Sequence, residues 1–254
     1  MRVKLNPVTL LDSSYHDLSS TVNNQTYRVF VGGIRAPHEE SSPRPLVFVL
    51  DGNWLFAPVY EYLRVLSIFE PSFADPVMVG LGYPMDDVNT LLQLRDRDMA
   101  PLPGNIKNVD QFLSFICDDV LTFLQTELNI VPGRKILAGH SWGGTFPLYA
   151  MGANKSGFDG YLASSPALPG TVLENIDEFI HNLVLTKETK LFISVGSDEG
   201  LQFPEIIEGF PSLEKALAQH APEKLSYRSV MFEDENHSSI TMAALSKGLR
   251  YLLA

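Results

Sequence analysis

Runs in which every residue is apolar alternate along this chain with stretches of helical spacing. Leu46-Val-Phe-Val-Leu50 has no polar face, which predicts a strand covered on both sides. Val77-Met-Val-Gly-Leu81 repeats the pattern, and Ile136–Ala138, Gly160–Ala163, Leu191-Phe-Ile-Ser-Val195 and Tyr227-Arg-Ser-Val-Met-Phe232 predict further strands. The intervening stretches predict helices over about 54–69, 109–128, 144–153, 172–184, 211–220 and 239–253. Before them, Gln25-Thr-Tyr-Arg-Val-Phe-Val31 alternates polar and apolar residues until Gly32-Gly33, and a Ser/Pro-rich turn follows at 41–45. Alternation of that kind predicts a half-exposed strand, so the first strands read as an antiparallel edge.

Strands alternating with helices predict a mostly parallel central sheet with helices on both faces. No repeat or linker interrupts the pattern, so residues 1–254 read as one domain. In such sheets ligands bind beyond the carboxyl ends of the strands, which directs attention to 51–55, 82–105, Ser141, 164–171, 196–210 and 233–239. The connection from Gly82 to Asn108 is long enough to suggest function. The stretch from Gly196 to Pro211, with Phe203 and Phe210, is expected to form a wall or partial lid.

Composition narrows the classes. With 254 residues, 45% of them hydrophobic, the chain has enough apolar material for one sizeable core. Its formal net charge of −11, without a clustered basic patch, disfavours nucleic acid and anionic membranes as partners. Cys117 stands alone in an apolar stretch, so it reads as a small buried hydrophobe. Neither the start, Met1-Arg-Val-Lys-Leu-Asn-Pro7, nor any later run is apolar enough for a signal peptide or membrane span. The cytoplasm is therefore the expected setting.

The chemistry centres on Gly139-His140-Ser141-Trp142-Gly143, placed between an apolar strand and a helical run. Strand, sharp turn and helix in that order make a nucleophile elbow. Glycines on either side remove the collisions that so tight a turn would create, and the following helix directs its N–H groups at charge developing beside the serine. A serine hydroxyl needs a base, usually an imidazole whose second nitrogen a carboxylate fixes. His237, between the last strand and the last helix, is in the right place in chain order. His140 is expected to order the turn, whereas His16, His38, His181 and His220 read as surface residues. For the acid, Gly196-Ser-Asp-Glu199 offers both Asp198 and Glu199, and Glu205 and Glu208 lie further into the loop. Glu233, Asp234 and Glu235 are expected to face solvent. Backbone N–H groups of Trp142 and Asn53, the latter in Leu50-Asp-Gly-Asn53, are candidates for an oxyanion hole.

Together, Leu50-Asp-Gly-Asn53, Arg95-Asp-Arg-Asp-Met-Ala-Pro101, Ala138-Gly-His-Ser-Trp-Gly-Gly144, Val195-Gly-Ser-Asp-Glu199 and Glu235-Asn-His-Ser-Ser239 resemble the esterase D-like family of α/β hydrolases. The resemblance runs from about residue 25 to 250 and leads to the branch that contains trilactone siderophore esterases. It implies an α/β-hydrolase fold, nucleophile Ser141, base His237, oxyanion amides at Asn53 and Trp142, and Glu199 rather than Asp198 as the acid. Some members of the branch use the Ser-His pair alone. Relatives usually have Thr where this chain has Ala100. Arg95 and Arg97 are candidate contacts for an anionic or catecholate group, with an Arg97–Asp98 ion pair as the alternative.

The resulting expectation is a serine esterase that works through an acyl-enzyme on a small-molecule ester, siderophore-type or otherwise aromatic, and needs no metal or organic cofactor. Trp54, Phe56, Tyr83 and Trp142 are candidate pocket walls. The rival substrates are S-formylglutathione or a short acyl thioester, and a feruloyl or acetyl sugar ester. A non-catalytic binding protein of the same fold is the rival of another class.

Overall fold

Leu46, Val47, Phe48 and Val49 are all completely buried, as a run without a polar face requires, and they lie in the middle of the sheet. The structure is a computed structural model that describes residues 9–33, 42–70, 73, 75–153 and 157–254. Met1–Pro7, His38 and Ser41 lie outside the described residues.

In chain order the elements are β1 (Ser13–Ser19), β2 (Thr26–Gly32), β3 (Arg44–Val49), α1 (Gly52–Phe69), β4 (Val77–Gly82), α2 (Val88–Met99) and α3 (Ile106–Ser114). A π-helical segment, Phe115–Val120, joins α3 to α4 (Leu121–Thr126). Then come β5 (Pro132–His140), α5 (Trp142–Gly152), β6 (Gly160–Ser164), α6 (Gly170–Leu173), α7 (Ile176–His181), β7 (Thr189–Gly196), α8 (Pro204–His220), β8 (Leu225–Phe232) and α9 (Ile240–Leu253). All eight strands form one sheet in the order β1-β2-β4-β3-β5-β6-β7-β8. β1, β2 and β4 pair antiparallel, and every pairing from β4 through β3 to β8 is parallel. The chain passes from β3 to β4 on one side and then crosses back over β3 to β5 on the other, so a crevice opens at the carboxyl end of β3.

Two apolar layers hold the helices to the sheet. On one face Leu46, Phe48, Leu137 and Ile193 pack with Leu91, Phe112, Phe146, Ile180 and Leu213. On the other, Val47, Val49, Ala138 and Leu162 pack with Val59, Leu63, Leu245 and Leu249 of α1 and α9. Each fully buried side chain of this size contributes about 1.5–3 kcal/mol of transfer free energy.

The structure adds to the sequence pattern or differs from it in five places. The long connection from Gly82 contains α2, started by Asp87, whose carboxylate accepts the Thr90 N–H at 2.8 Å. The helix expected over 172–184 is two short helices, and the one expected at 211–220 begins at Pro204. The stretch Tyr227–Phe232 belongs to an edge strand, with Tyr227 and Met231 exposed. β1 precedes the alternating stretch and completes the antiparallel edge. No described helix is long and apolar enough to cross a membrane, and no described group of three or more His, Cys, Asp or Glu could hold a metal.

Candidate active site

Ser141 follows β5 with φ 62° and ψ −126°, a conformation that L-residues adopt only when their surroundings enforce it. The enforcement comes from close packing of backbone. A Cβ on Gly139 would run into the Gly143 carbonyl, and one on Gly144 into the Ser164 carbonyl. The Ser141 N–H donates to Ser164 O at 2.9 Å, and the Ser141 carbonyl accepts from Gly144 and Thr145 to start α5. Its hydroxyl makes no capping bond to that helix.

Across the crevice, Asp51 takes φ 55° and ends β3 in a turn that opens α1. Arg95, on α2, joins this turn to the elbow: Nε donates to Asp51 Oδ1 at 2.7 Å and Nη2 to the His140 carbonyl at 2.9 Å. The Asn53 side chain faces β4, with Oδ1 accepting from Tyr83 N at 2.8 Å and Nδ2 donating to Tyr83 O at 2.9 Å. Asn53 and Trp142 are each within the first two residues of a helix, α1 and α5, where N–H groups lack intrahelical acceptors. Two helix starts therefore border the same crevice with amides to offer.

On the other side of Ser141, β7 and β8 carry the acid and the imidazole. Glu199 is completely buried after β7, and its Oε2 lies 2.7 Å from His237 Nδ1. Oε1 accepts the Gly196 N–H at 2.7 Å and the Ser165 hydroxyl at 2.5 Å. The two loops are held together by Ser197 N to Phe232 O and Asp198 N to Glu235 O, at 2.9 and 3.0 Å. The Asn236 carboxamide oxygen accepts from Ser238 and Ser239 N–H, shaping the turn around His237. The His237 ring lies between two others: its centroid is 4.4 Å from that of His140 and 4.5 Å from that of Phe203. It thus reaches the elbow through the residue preceding Ser141. His140 Nδ1 is 3.0 Å from Ser164 Oγ. Burial, followed by the neighbouring His237 and Arg95 charges, pushes His140 down to about 3, so its ring stays neutral.

Of the two candidate acids, Glu199 meets His237, whereas Asp198 is exposed and its carboxylate lies beside the Ser197 hydroxyl. Trp54, Tyr83 and Arg95 come together with Asn53 around a recess of about 10 Å³, room for about one water and no substrate group. Tyr83 is buried, with Oη 3.1 Å from Asp98 Oδ2, and burial raises its phenol well above the usual range. Arg97 makes a bidentate pair with Asp98, Nε to Oδ1 at 2.7 Å and Nη2 to Oδ2 at 2.8 Å, and its Nη1 donates to Gln25. Both arginines are therefore committed to carboxylates rather than held free over the crevice. Burial raises Asp98, with Arg97 pulling the other way. Phe56 stacks between Phe30 and Tyr60 in the core instead of lining a pocket. Trp54 is 43% exposed, and Trp142 is half-buried. Among the other histidines, His181 and His220 are exposed and in ring contact, and His16 packs half-buried on Phe123. Sequence reading singled out the segment 164–171 without giving Ser165 a role, and it missed the Asp51–Arg95 pair, whose only trace is an arginine in a helix.

No protein-family model matches the chain. The siderophore enterobactin esterase of Emericella nidulans is 30% identical to it over 249 residues, covering 81% of each protein. The chain belongs to the siderophore esterase family. Membership makes this protein a carboxylic ester hydrolase. The ferri-bacillibactin esterase BesA of Bacillus subtilis is 23% identical over 269 residues, covering 98% of this chain and 92% of that protein. Among solved structures, the BES protein from Bacillus cereus superposes with a TM-score of 0.85 at 25% identity, covering 100% of this chain and 99% of that one. The siderophore hydrolase EstA from Aspergillus nidulans shares the fold, with a TM-score of 0.81 at 24% identity over 99% of this chain and 98% of its own. The siderophore esterase fold is thus the α/β-hydrolase arrangement, an eight-stranded, mostly parallel sheet with helices on both faces.

Proposed function

We propose that this esterase hydrolyses ester-linked siderophores through a triad of Ser141, His237 and Glu199. The observation that carries the reading is the 2.7 Å contact between buried Glu199 and His237 Nδ1, with the ring packed against the elbow that holds Ser141. With Nδ1–H given to Glu199, Nε2 keeps its lone pair and acts as the base. It takes the Ser141 proton as Oγ bonds to the ester carbonyl carbon, and the negative charge moves to the carbonyl oxygen. The N–H groups of Asn53 and Trp142 receive that oxyanion. When the tetrahedral intermediate collapses, the carbon–alkoxide bond breaks and the imidazolium protonates the leaving alkoxide. A water, deprotonated in turn by His237, then releases the acid and restores Ser141.

The names of the relatives support the substrate class: they are esterases of enterobactin, ferri-bacillibactin and triacetylfusarinine C. Phe203, 38% exposed on the His237 ring, and Trp54 supply apolar surface at the mouth for such ligands. One sheet joining all eight strands supports a single catalytic domain. A cytoplasmic setting suits action on imported ferric complexes, and cell fractionation checks it.

A fluorophosphonate label tests the mechanism: it attaches to the wild type and is lost in Ser141→Ala. Absence of labelling in the folded wild type overturns the serine mechanism and favours a binding protein. A panel of ferric catecholate trilactone, ferric hydroxamate triester, S-formylglutathione and feruloyl ester tests the substrate. The highest kcat/KM is expected on a siderophore ester, and preference for S-formylglutathione or feruloyl ester overturns the assignment.

A further inference from the structure

Immediately after β6, Ser165 adopts φ 43°, left-handed backbone in which glycine is the default and serine is strained. It is completely buried. Its N–H donates to Ser194 O of β7 at 2.8 Å, and its hydroxyl donates to Glu199 Oε1 at 2.5 Å. The residue before it, Ser164, accepts the Ser141 N–H on its carbonyl and meets His140 Nδ1 with its hydroxyl. Two consecutive serines therefore touch the nucleophile's turn and the carboxylate that faces the imidazole. Glycine at 165 would relieve the backbone, and alanine would keep the strain without a donor. Serine accepts the strain and keeps a hydroxyl of the length that reaches Oε1.

Glu199 uses Oε2 for His237 and Oε1 for two donors, the Gly196 N–H and the Ser165 hydroxyl. The Gly196 donor belongs to the same tight loop as Glu199, three residues away, and moves with it. Ser165 is the donor anchored to a different strand. We infer that Ser165 is a positioning residue for ester hydrolysis: its hydroxyl fixes the rotation of the Glu199 carboxylate, and through it the direction and tautomer of the His237 ring. This inference rests on the triad reading above. The hydroxyl also draws negative charge from the carboxylate. Without it, Glu199 holds the protonated imidazole more strongly, and the neutral base is present only at higher pH.

Ser165→Gly separates the hydroxyl from the backbone, because glycine takes the same φ without strain. The expected result is a folded enzyme, with Tm equal to or above the wild type, whose kcat on a p-nitrophenyl ester falls about tenfold, the scale for one hydrogen bond to a charged group. KM should stay within about twofold, and the acidic limb of the kcat/KM profile should move to higher pH. Wild-type kcat in Ser165→Gly, or a lower kcat with an unmoved limb, overturns the proposal. If Ser165→Gly does not fold, Ser165→Ala takes its place, read by the downfield proton resonance of the His237 Nδ1–H in resting enzyme. A shifted resonance supports the proposal, and an unshifted one overturns it. Glu199→Gln keeps the two readings apart. Strong loss there beside an unaffected Ser165→Gly sinks the Ser165 role alone, whereas full activity in Glu199→Gln sinks the triad itself.

Discussion

Arg95 and Asp51 form an ion pair at 2.7 Å whose side chains are only 9% and 7% exposed. The same guanidinium holds the carbonyl of the residue preceding the nucleophile. One buried cation thus sets the distance between the loop that offers Asn53 and the turn that carries Ser141. Arg95→Ala leaves Asp51 charged and buried, and should destabilise the fold by about 3–5 kcal/mol in chemical denaturation. Pairing it with Asp51→Ala should return part of that loss, while kcat stays low because the two loops lose their brace.

Gly144→Ala should be worse than its size suggests. The added methyl would point into the Ser164 carbonyl, which also holds the Ser141 amide. Neither partner is a flexible side-chain end. Loss of soluble folded protein, or a fall in kcat of at least about a hundredfold in what remains, is the expected outcome; wild-type activity would contradict the elbow geometry.

Acid stability carries a signature of His140. Its folded-state value is depressed to about 3 from 6.5, so between these limits the unfolded chain binds more protons than the native one. Stability from this group is complete above about pH 6.5 and is lost as pH falls toward 3, by up to 1.4 kcal/mol per pH unit. Urea denaturation of the wild type should follow that slope. His140→Phe, which cannot titrate, should flatten it.

Ionic strength should separate substrates by charge. The loops around His237 carry exposed Asp198, Glu233 and Asp234, and Glu205 is exposed in the first turn of α8, while Arg95 and Arg97 are tied to carboxylates. Three catecholates on ferric iron carry a charge of about −3, which this rim repels until salt screens it over about 10 Å at 0.1 M. For such an ester kcat/KM should rise severalfold between about 0.01 and 0.3 M salt. It should stay flat for an uncharged p-nitrophenyl ester. A decrease with salt would reveal a cationic contact.

What the sequence revealed was whatever repeats locally or follows chain order. The all-apolar run at Leu46–Leu50 marked the sheet's centre, and the Gly-x-Ser-x-Gly spacing marked the elbow. His237 was legible because chain order places it after the last strand. The pair Arg95–Asp51 spans 44 positions and Ser165–Glu199 spans 34, and no periodicity encodes such contacts. α2 was hidden because its buried residues, Leu91, Arg95, Asp98 and Met99, include two charged ones, so its inner face looks polar on paper. Arg95 looked like a ligand contact for the same reason, since its partner Asp51 is distant in sequence, whereas the Arg97–Asp98 pair, between neighbours, was legible as an alternative.

His237 follows β8, the outermost strand on its side of the sheet, whereas Ser141 follows central β5. Catalysis therefore joins a loop after an edge strand to a turn after an interior one. Edge strands open at lower free energy than the interior, so a brief detachment of β8 would withdraw the imidazole while the interior strands stayed paired. On warming, the enzyme should fall silent several degrees before its spectrum reports melting, and recover at once on cooling.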